Sequence, residues 1–484
     1  MLSTNTLGNM QVLRKPTGDW DEIADVVIIG SGFAGLAAAI EAHNTGASVI
    51  IIEKMNAPGG NSIISDGGIA AAGTAMQNKL GIKDSAELMY RDMLKAGLGL
   101  NHPDLVREVA EKSNEALQWS IDYLGVEYLD RVDTFGGHSV PRCYTAVGVS
   151  GSTIIKRQLL KLSELGMKVR TQTYFKNFIT DSEDRICGML AREDYNYRDS
   201  GSGVDKYIGA RKAVILATGG FSSDVSFRVA QDPRLTEKVD TTNKPFATAE
   251  ALKEALKIGA TPVHLSHIQL GPWASPDEKG YGVGPGFSDY IVFQYGIVVE
   301  PGTGKRIVNE LADRRTVSDA ILNIGQPCIG IADIKAVEKS GWNIDRCLEK
   351  GVVKQFNQLQ ELASFYGLSQ DALKATITKY NSSFENRIDE EFGKPILPNA
   401  APIAFPPYYG IRLWPKVHHT MGGVQINVRG QVIDLNQHPI KGLYAAGEVT
   451  GGIHGACRLG SCAITECLVF GRICGRSAAT ENFS

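Results

Sequence analysis

The run Asp25-Val-Val-Ile-Ile-Gly30-Ser-Gly32-Phe-Ala-Gly35 decides the fold. Its β-branched half reads as a short buried strand that ends in glycine. Leu36 to Asn44 continues as an alanine-rich helix, Gly46 stops it, and Ser48 to Glu53 is a second β-branched strand. Each glycine has a separate task. Gly30 makes the tight turn, Gly32 lets backbone N–H groups reach a pyrophosphate, and Gly35 lets helix and strand pack closely. The helix N-terminus faces the phosphates with partial positive charge. Glu53, at the end of the second strand, is placed to accept hydrogen bonds from a ribose. A lone glycine turn is weak; with both strands, the helix and the acid in place, the unit predicts a bound dinucleotide.

Later segments favour FAD. Pro58-Gly59-Gly60-Asn61-Ser62 and Asp66-Gly67-Gly68 are glycine-rich loops just after Glu53. Ala213-Val-Ile-Leu-Ala-Thr-Gly-Gly220 is another strand that ends in glycines, and Gly442-Leu-Tyr-Ala-Ala-Gly447-Glu448 repeats the theme. Segments this far apart must converge on one long ligand. The contact set expected for non-covalent FAD is Gly30, Gly32, Phe33, Ala34, Gly35, Glu53 and Lys54 from the first unit. Gly59, Gly60, Asn61, Ser62, Gly67 and Gly68 follow from the loops. Ala217, Thr218, Gly219, His418, Gly447, Glu448, Ser461, Ala463 and Ile464 complete it.

Bulk properties narrow the class. The chain has 484 residues, 43% hydrophobic and 21% charged, an ordinary globular composition long enough for two domains. A net charge of -3 gives no basic field for nucleic acid. No apolar run of about 18 residues predicts a membrane span. Met1 to Trp20 lacks the pattern of a secretory signal, so the sequence reads as cytoplasmic, or as periplasmic if a signal was removed. Eight cysteines include no Cys-x-x-Cys-His, so no c-type haem is expected on this chain. Cys457, Cys462, Cys467 and Cys474 match no zinc or iron–sulfur spacing and read as small buried residues of a packed helix, so no metal is expected.

Two constellations carry chemistry. Val417-His418-His419-Thr420-Met421-Gly422-Gly423 pairs histidines before a glycine pair, and His454-Gly455-Ala456-Cys457-Arg458-Leu459-Gly460 sets an arginine among small residues. Two satisfied core histidines and a structural ion pair are the plainer readings, but a buried arginine needs an anion. Arg314, in Asn309-Glu-Leu-Ala-Asp-Arg314-Arg315, reads from the sequence alone as a surface charge.

These segments resemble the flavoprotein family of fumarate reductase and succinate dehydrogenase, above all the soluble flavin domain of bacterial flavocytochrome c fumarate reductases, across Asp21 to Ala479. Members also reduce urocanate, methacrylate and aryl-acrylates, and others act on ketosteroids. The resemblance implies an α/β fold: a Rossmann-like FAD-binding domain of the glutathione reductase type with an inserted α+β capping domain. The expected division is a tail at 1–20, FAD-binding parts at 21–234 and 344–484, and a cap at 235–343. It implies that Glu448 contacts the ribityl chain and that His418 packs near the flavin. It implies that His419 and Arg458 grip a substrate carboxylate, and that Arg314 is the catalytic acid of enoate reduction in anaerobic respiration.

The sequence also departs from that family. A fumarate reductase holds the second carboxylate with a His-Pro-Thr run and a Thr-Glu pair; here Gly271-Pro272-Trp273 and Asp289-Tyr290 stand instead, and Phe293 replaces a relay arginine. Cys457, Ser461 and Cys462 alter the flavin-side pattern. Trp273, Asp289, Tyr290, Phe293 and Thr420 become the expected substrate residues. An aromatic slot with an acid suits a monocarboxylate with a bulky tail, cinnamate-like or urocanate-like. Fumarate reduction, ketosteroid dehydrogenation or reduction, and a non-catalytic electron-transfer subunit are the alternatives. Gly280-Tyr-Gly-Val-Gly-Pro-Gly286 follows no strand and is no second dinucleotide site. Electrons are therefore expected from a separate donor, a cytochrome or a flavin reductase.

Overall fold

The strand Glu22–Ile29 is buried along its second half, with Val26, Val27 and Ile28 fully enclosed. A continuous apolar run of this kind suits a parallel strand covered on both faces. In the computed structural model, which describes residues 4–7, 10–14, 19–397 and 399–482, it pairs in parallel with Val49–Ile52 on one side and Val204–Leu216 on the other. Val169–Arg170 and Pro439–Ala445 extend the parallel group at its two ends. The strand Val204–Leu216 is long enough to serve twice. Its first half pairs antiparallel with Ile186–Glu193, and its last residues pair with Pro439–Ala445. This is the mixed α/β FAD-binding fold expected from Gly30 and its neighbours.

Of the tail expected at 1–20, Thr4–Leu7 and Met10–Arg14 form a hairpin whose second strand joins the main sheet beside Tyr174–Thr180. Residues 1–3, 8–9 and 15–18 lie outside the described residues. Residues 168 to 180 hold two strands, Val169–Arg170 and Tyr174–Thr180, separated where Gln172 turns the chain in the left-handed region at φ 53°.

A second core forms beside this sheet. Ile297–Val299, Cys328–Asp333, Tyr408–Leu413 and Val353–Phe356 make an antiparallel sheet in that order. The apolar cluster beneath it runs from Trp273 to Leu413. The expected cap limits of 235 and 343 do not coincide with the limits of these two cores. Ala249, Leu252, Ala255 and Ala260 pack into the first core, and two strands of the cap sheet lie beyond residue 343. Long-range pairing, rather than local pattern, sets these limits.

Around Arg429-Gly430 the chain turns back on itself, and Ile426 bridges Val432 near the tip. The arms diverge: Gly423–Gln425 pairs with Pro262–Val263 and Thr450–Gly451, whereas Gln431–Ile433 pairs with Pro439–Ala445. The closing helix is Cys462–Ala479, packed on Phe33–Asn44. No helix among the described residues is long and apolar enough to cross a membrane.

Candidate active site

Four parallel strands end at one edge, and the chain after each bends into the same groove: Gly30 after Ile29, Glu53 after Ile52, Ala217 after Leu216, and Gly447 after Ala445. In open α/β sheets this carboxyl edge is where ligands bind. Gly30 sits at φ 105°, and a Cβ there would strike the Ala217 carbonyl. A Cβ on Gly35 would strike the Gly30 carbonyl, so Gly35 is what lets the helix start this close to the strand. Glu53 is fixed by Ser31, whose Oγ donates to Oε2 at 2.6 Å, and by the Met55 N–H at 3.0 Å from Oε1.

The groove has two lobes. The first, about 960 Å³, is lined by Gly30, Gly32, Phe33, Ala34, Glu53, Lys54, Gly60, Asn61, Ser62, Ala217, Thr218, Gly219, Gly447 and Glu448. The second, about 860 Å³, is lined by Gly68, His418, Ser461, Ala463 and Ile464, together with Trp273, Asp289, Arg314, His419 and Arg458. Phe33, Asn61, Ser62, Glu448 and Cys467 belong to both walls, so the lobes are continuous. An elongated dinucleotide fits this shape. The donor set fits too: the long helix Cys462–Ala479 opens onto the second lobe, and its preceding Ser461 is held at φ 62° with its buried Oγ unpartnered among the described residues. The helix N-terminus and that hydroxyl supply positive potential and a hydrogen-bonding group for a flavin ring.

Three expected FAD contacts do not face the groove. Gly35 serves the helix–strand contact, Gly59 packs against Ile63 at φ 108°, and Gly67 packs against the backbone at Ser150. Three expected substrate residues are also displaced. Asp289 and Tyr290 are neighbours on the π-helical turn Ser288–Val292, and consecutive helical residues cannot share a face. Asp289 faces the cavity, while Tyr290 stacks on Trp342 with ring centroids 4.5 Å apart. Phe293 joins the cap core and borders an adjoining small cavity that shares Trp273, Asp289 and Arg314 with the second lobe. Thr420 is fully buried, and its N–H and hydroxyl both donate to Glu448 Oε1, at 2.9 and 3.2 Å.

The sequence reading missed Tyr281, Asp66, Thr242 and Asn243 in the second lobe, and Thr173, Phe246 and Thr248 in the first. Tyr281 had a signal. It is the one aromatic within a glycine loop, and that loop folds over the cavity. Glu278 anchors the loop by accepting the Val283 and Gly284 N–H groups at 2.7 and 2.8 Å, and Lys416 grips the carbonyls of Glu278 and Gly280.

Charge in the second lobe is arranged around two arginines. Arg458 Nε and Arg314 Nη1 are buried without a hydrogen-bond partner among the described residues. Arg458 Nη1 donates to the Leu459 carbonyl at 2.8 Å, and the Arg314 guanidinium lies 5.6 Å from the Trp273 ring centre. His419 Nδ1 is 3.5 Å from Glu448 Oε1, and His418 Nδ1 is 2.8 Å from Thr242 Oγ1. Burial, reinforced by the arginines, holds both imidazoles well below their usual range, so both are neutral at pH 7. Burial and Arg314 bring Arg458 down to about 10, still charged at pH 7. Burial pushes Asp289 up to about 6 against the pull of Arg314, and Glu448 up to about 7 against its Thr420 hydrogen bonds.

Fold and groove define a flavin-dependent oxidoreductase of the fumarate reductase and succinate dehydrogenase type. The chain belongs to the FAD binding domain family, whose model matches residues 25–464. It is 44% identical over 465 residues to the acrylate reductase flavoprotein subunit of Shewanella woodyi, covering 94% of this chain and 91% of that one. It is 33% identical over 465 residues to a urocanate reductase of Eggerthella lenta, covering 94% and 74%. The open conformation of a flavocytochrome c3 fumarate reductase superposes with a TM-score of 0.75 at 32% identity, covering 95% of this chain and 78% of that one. The chain is accordingly a FAD-dependent enzyme acting on CH–CH groups.

Proposed function

We propose that the chain reduces the C=C bond of an α,β-unsaturated monocarboxylate with non-covalently bound FAD. The observation that carries this reading is the pair of buried, unpartnered guanidinium nitrogens, Arg458 Nε and Arg314 Nη1, beside His419 in one cavity. Buried cations without partners call for an anion. FAD, once reduced, supplies a hydride to the β-carbon. Arg458 and His419 hold the carboxylate and the negative charge that develops on it, as fixed donors do in an oxyanion site. Arg314 delivers the proton to the α-carbon. An arginine is a poor acid in water, with a pKa above about 12, and acts as one only in a closed site that fixes its geometry.

Asp289, with Asp66 in the same cavity, disfavours a second carboxylate. Trp273 and Tyr281, ring centroids 5.4 Å apart, offer flat surfaces to an aromatic or heteroaromatic tail. A second reading, a small acid such as acrylate, is favoured by the 44% identity to an acrylate reductase subunit and by the diversion of Tyr290 and Phe293 into protein cores. We place the cap at about residues 268–413 and take the electron donor to be a separate protein.

The test is reoxidation of viologen-reduced holoprotein by fumarate, urocanate, cinnamate, p-coumarate, acrylate, methacrylate and a Δ4-3-ketosteroid. Response to a monocarboxylate and not to fumarate is expected; response to fumarate or the steroid alone sinks the proposal. Arg314→Ala should retain FAD and lose at least about 10²-fold in turnover; unchanged turnover removes Arg314 from the chemistry.

A further inference from the structure

A series of titratable groups runs from the cavity wall at Glu448 through His419 to His454 and Glu466, and the proposed reaction uses only His419 among them. Glu448 Oε1 is 3.5 Å from His419 Nδ1. The His419 ring centre is 5.6 Å from that of His454. His454 Nε2 is 3.9 Å from Glu466 Oε2, on the helix Cys462–Ala479. His419 and His454 are each 5% exposed and Glu466 is 1% exposed. His454 is the one partner of Glu466 at ion-pair distance among the described residues; no lysine or arginine takes that place. Among the described residues, Glu466 Oε1, His454 Nε2 and Asn101 Oδ1 are buried without hydrogen-bond partners. The neighbour of His454, Gly455, approaches Asn101 closely: a Cβ there would come 2.8 Å from Asn101 Oδ1. A polar seam therefore leads from the flavin wall at Glu448 toward the loop that carries Asn101.

We infer that Glu448, His419, His454 and Glu466 form a proton-holding chain that takes up one proton from solvent when bound FAD accepts two electrons. This rests on the FAD site and not on the choice of substrate. Two carboxyls and two imidazoles in a dry interior cannot all be free of protons without stranding negative charge. Charges facing the series are Arg458 and Arg314 at its cavity end, the neutral His418, and the Cys467 thiol, which burial and Glu466 hold protonated. The arginines favour ionised carboxyls at the Glu448 end, while the Glu466 end has only a neutral imidazole. Electrons delivered to the adjoining lobe add negative charge beside Glu448, and like charge raises the proton affinity of the whole series. The balance is simple. Two molecules of a one-electron donor, here a reduced viologen, give up one electron each. One solvent proton forms a new O–H or N–H bond within the chain, separate from any proton that the flavin itself binds, and no protein bond breaks.

The test is spectroelectrochemical titration of the flavin in the holoprotein across pH 5.5 to 8.5, with wild type and Glu466→Gln compared. Glutamine keeps the shape and loses the proton. The wild-type midpoint should fall with pH by one proton per two electrons more than the variant does, about 30 mV for each tenfold change in proton activity. A proton on the flavin itself is common to both proteins and cancels. Coincident slopes overturn the inference. His454→Asn cuts the series from the other side and should also lose that proton; a wild-type slope in this variant overturns it equally. Reduced-minus-oxidised infrared spectra give an independent readout should either variant bind FAD poorly. A protonated-carboxyl band should appear on reduction of the wild type, and its absence counts against the chain.

Discussion

In the proposed site, Asp289 sets the charge that a substrate tail would meet. Its carboxyl titrates near pH 6, so it is mostly ionised at pH 7. A second carboxylate placed there meets like charge in a poorly hydrated cavity, a contact that costs several kcal/mol at protein interfaces. Asp289→Asn should therefore raise the ratio of kcat/KM for fumarate to that for the preferred monocarboxylate by at least about tenfold, equal to ~1.4 kcal/mol. An unchanged ratio removes Asp289 from specificity. Glu448 makes a different prediction, about stability. Burial raises its pKa from 4.5 to about 7, so between those values the folded apoprotein binds more protons than the unfolded chain. Stability contributed by this group must then fall as pH climbs through that window and stay low above it. Glu448→Gln keeps an acceptor for Thr420 and removes the titration. The variant should gain on wild type, in urea unfolding of apoprotein, by up to about 3 kcal/mol between pH 4.5 and 7.5. A constant difference across that range refutes it. The same residues show what sequence conveys at this scale. Asp289 could be read as a cavity acid from its place in a motif, but Tyr290 could not be separated from it, because only the helical turn decides which neighbour faces inward.

At the scale of elements, the nucleotide-binding unit was readable because its signals are local: β-branched strands, glycine turns and a helix within one short stretch. The cap was expected, but its limits were not readable, because its sheet joins Cys328–Asp333 to Tyr408–Leu413 and Val353–Phe356, and such pairing leaves little local trace. The cap's ionic pin was equally hidden. Arg306 and Glu310 come from one short segment, Asp389 and Lys394 from another some eighty residues on, and each is at most 5% exposed. Arg306 Nη2 lies 2.9 Å from Glu310 and 3.0 Å from Asp389, and Lys394 Nζ lies 3.3 Å from Glu310. Glu310 also accepts the Val298 N–H, which ties the cap sheet to the loop leading into the Arg314–Ile324 helix. Removing one partner from such a buried network costs about 3–5 kcal/mol, because carboxylates are left unpaired. Arg306→Met should lose that much in urea unfolding. It should lower kcat through Arg314 while leaving FAD affinity within about twofold, since the first lobe is built by the other core. Equal loss of FAD binding shows that the cap is not energetically distinct.

Across the whole molecule, the groove lies at the seam between two hydrophobic cores. The sheet edge supplies the nucleotide lobe, the cap supplies Trp273, Asp289 and Arg314, and the Tyr281 loop folds over the second lobe. For the proposed reaction, this arrangement bears on how electrons enter. A nicotinamide must lie flat on the flavin to pass hydride, which requires room in the lobe where the enoate binds. Tyr281 of the Gly280–Gly286 segment lines that lobe, and three of the segment's backbone groups, the Gly280 carbonyl and the Val283 and Gly284 N–H groups, are taken by Lys416 and Glu278, which leaves fewer donors for a pyrophosphate. A one-electron donor needs only to approach the surface, because electrons cross a packed wall and hydride does not. Reduced methyl viologen should therefore bleach the bound flavin and sustain turnover, whereas NADH alone should bleach it at least about 10²-fold more slowly, the scale of rate lost when reacting atoms are not held in contact. Stopped-flow absorbance under anaerobic conditions measures both. Comparable rates with NADH mean that the Tyr281 loop opens far enough to admit a second nucleotide, which makes the cap a gate for the donor as well as for the acid.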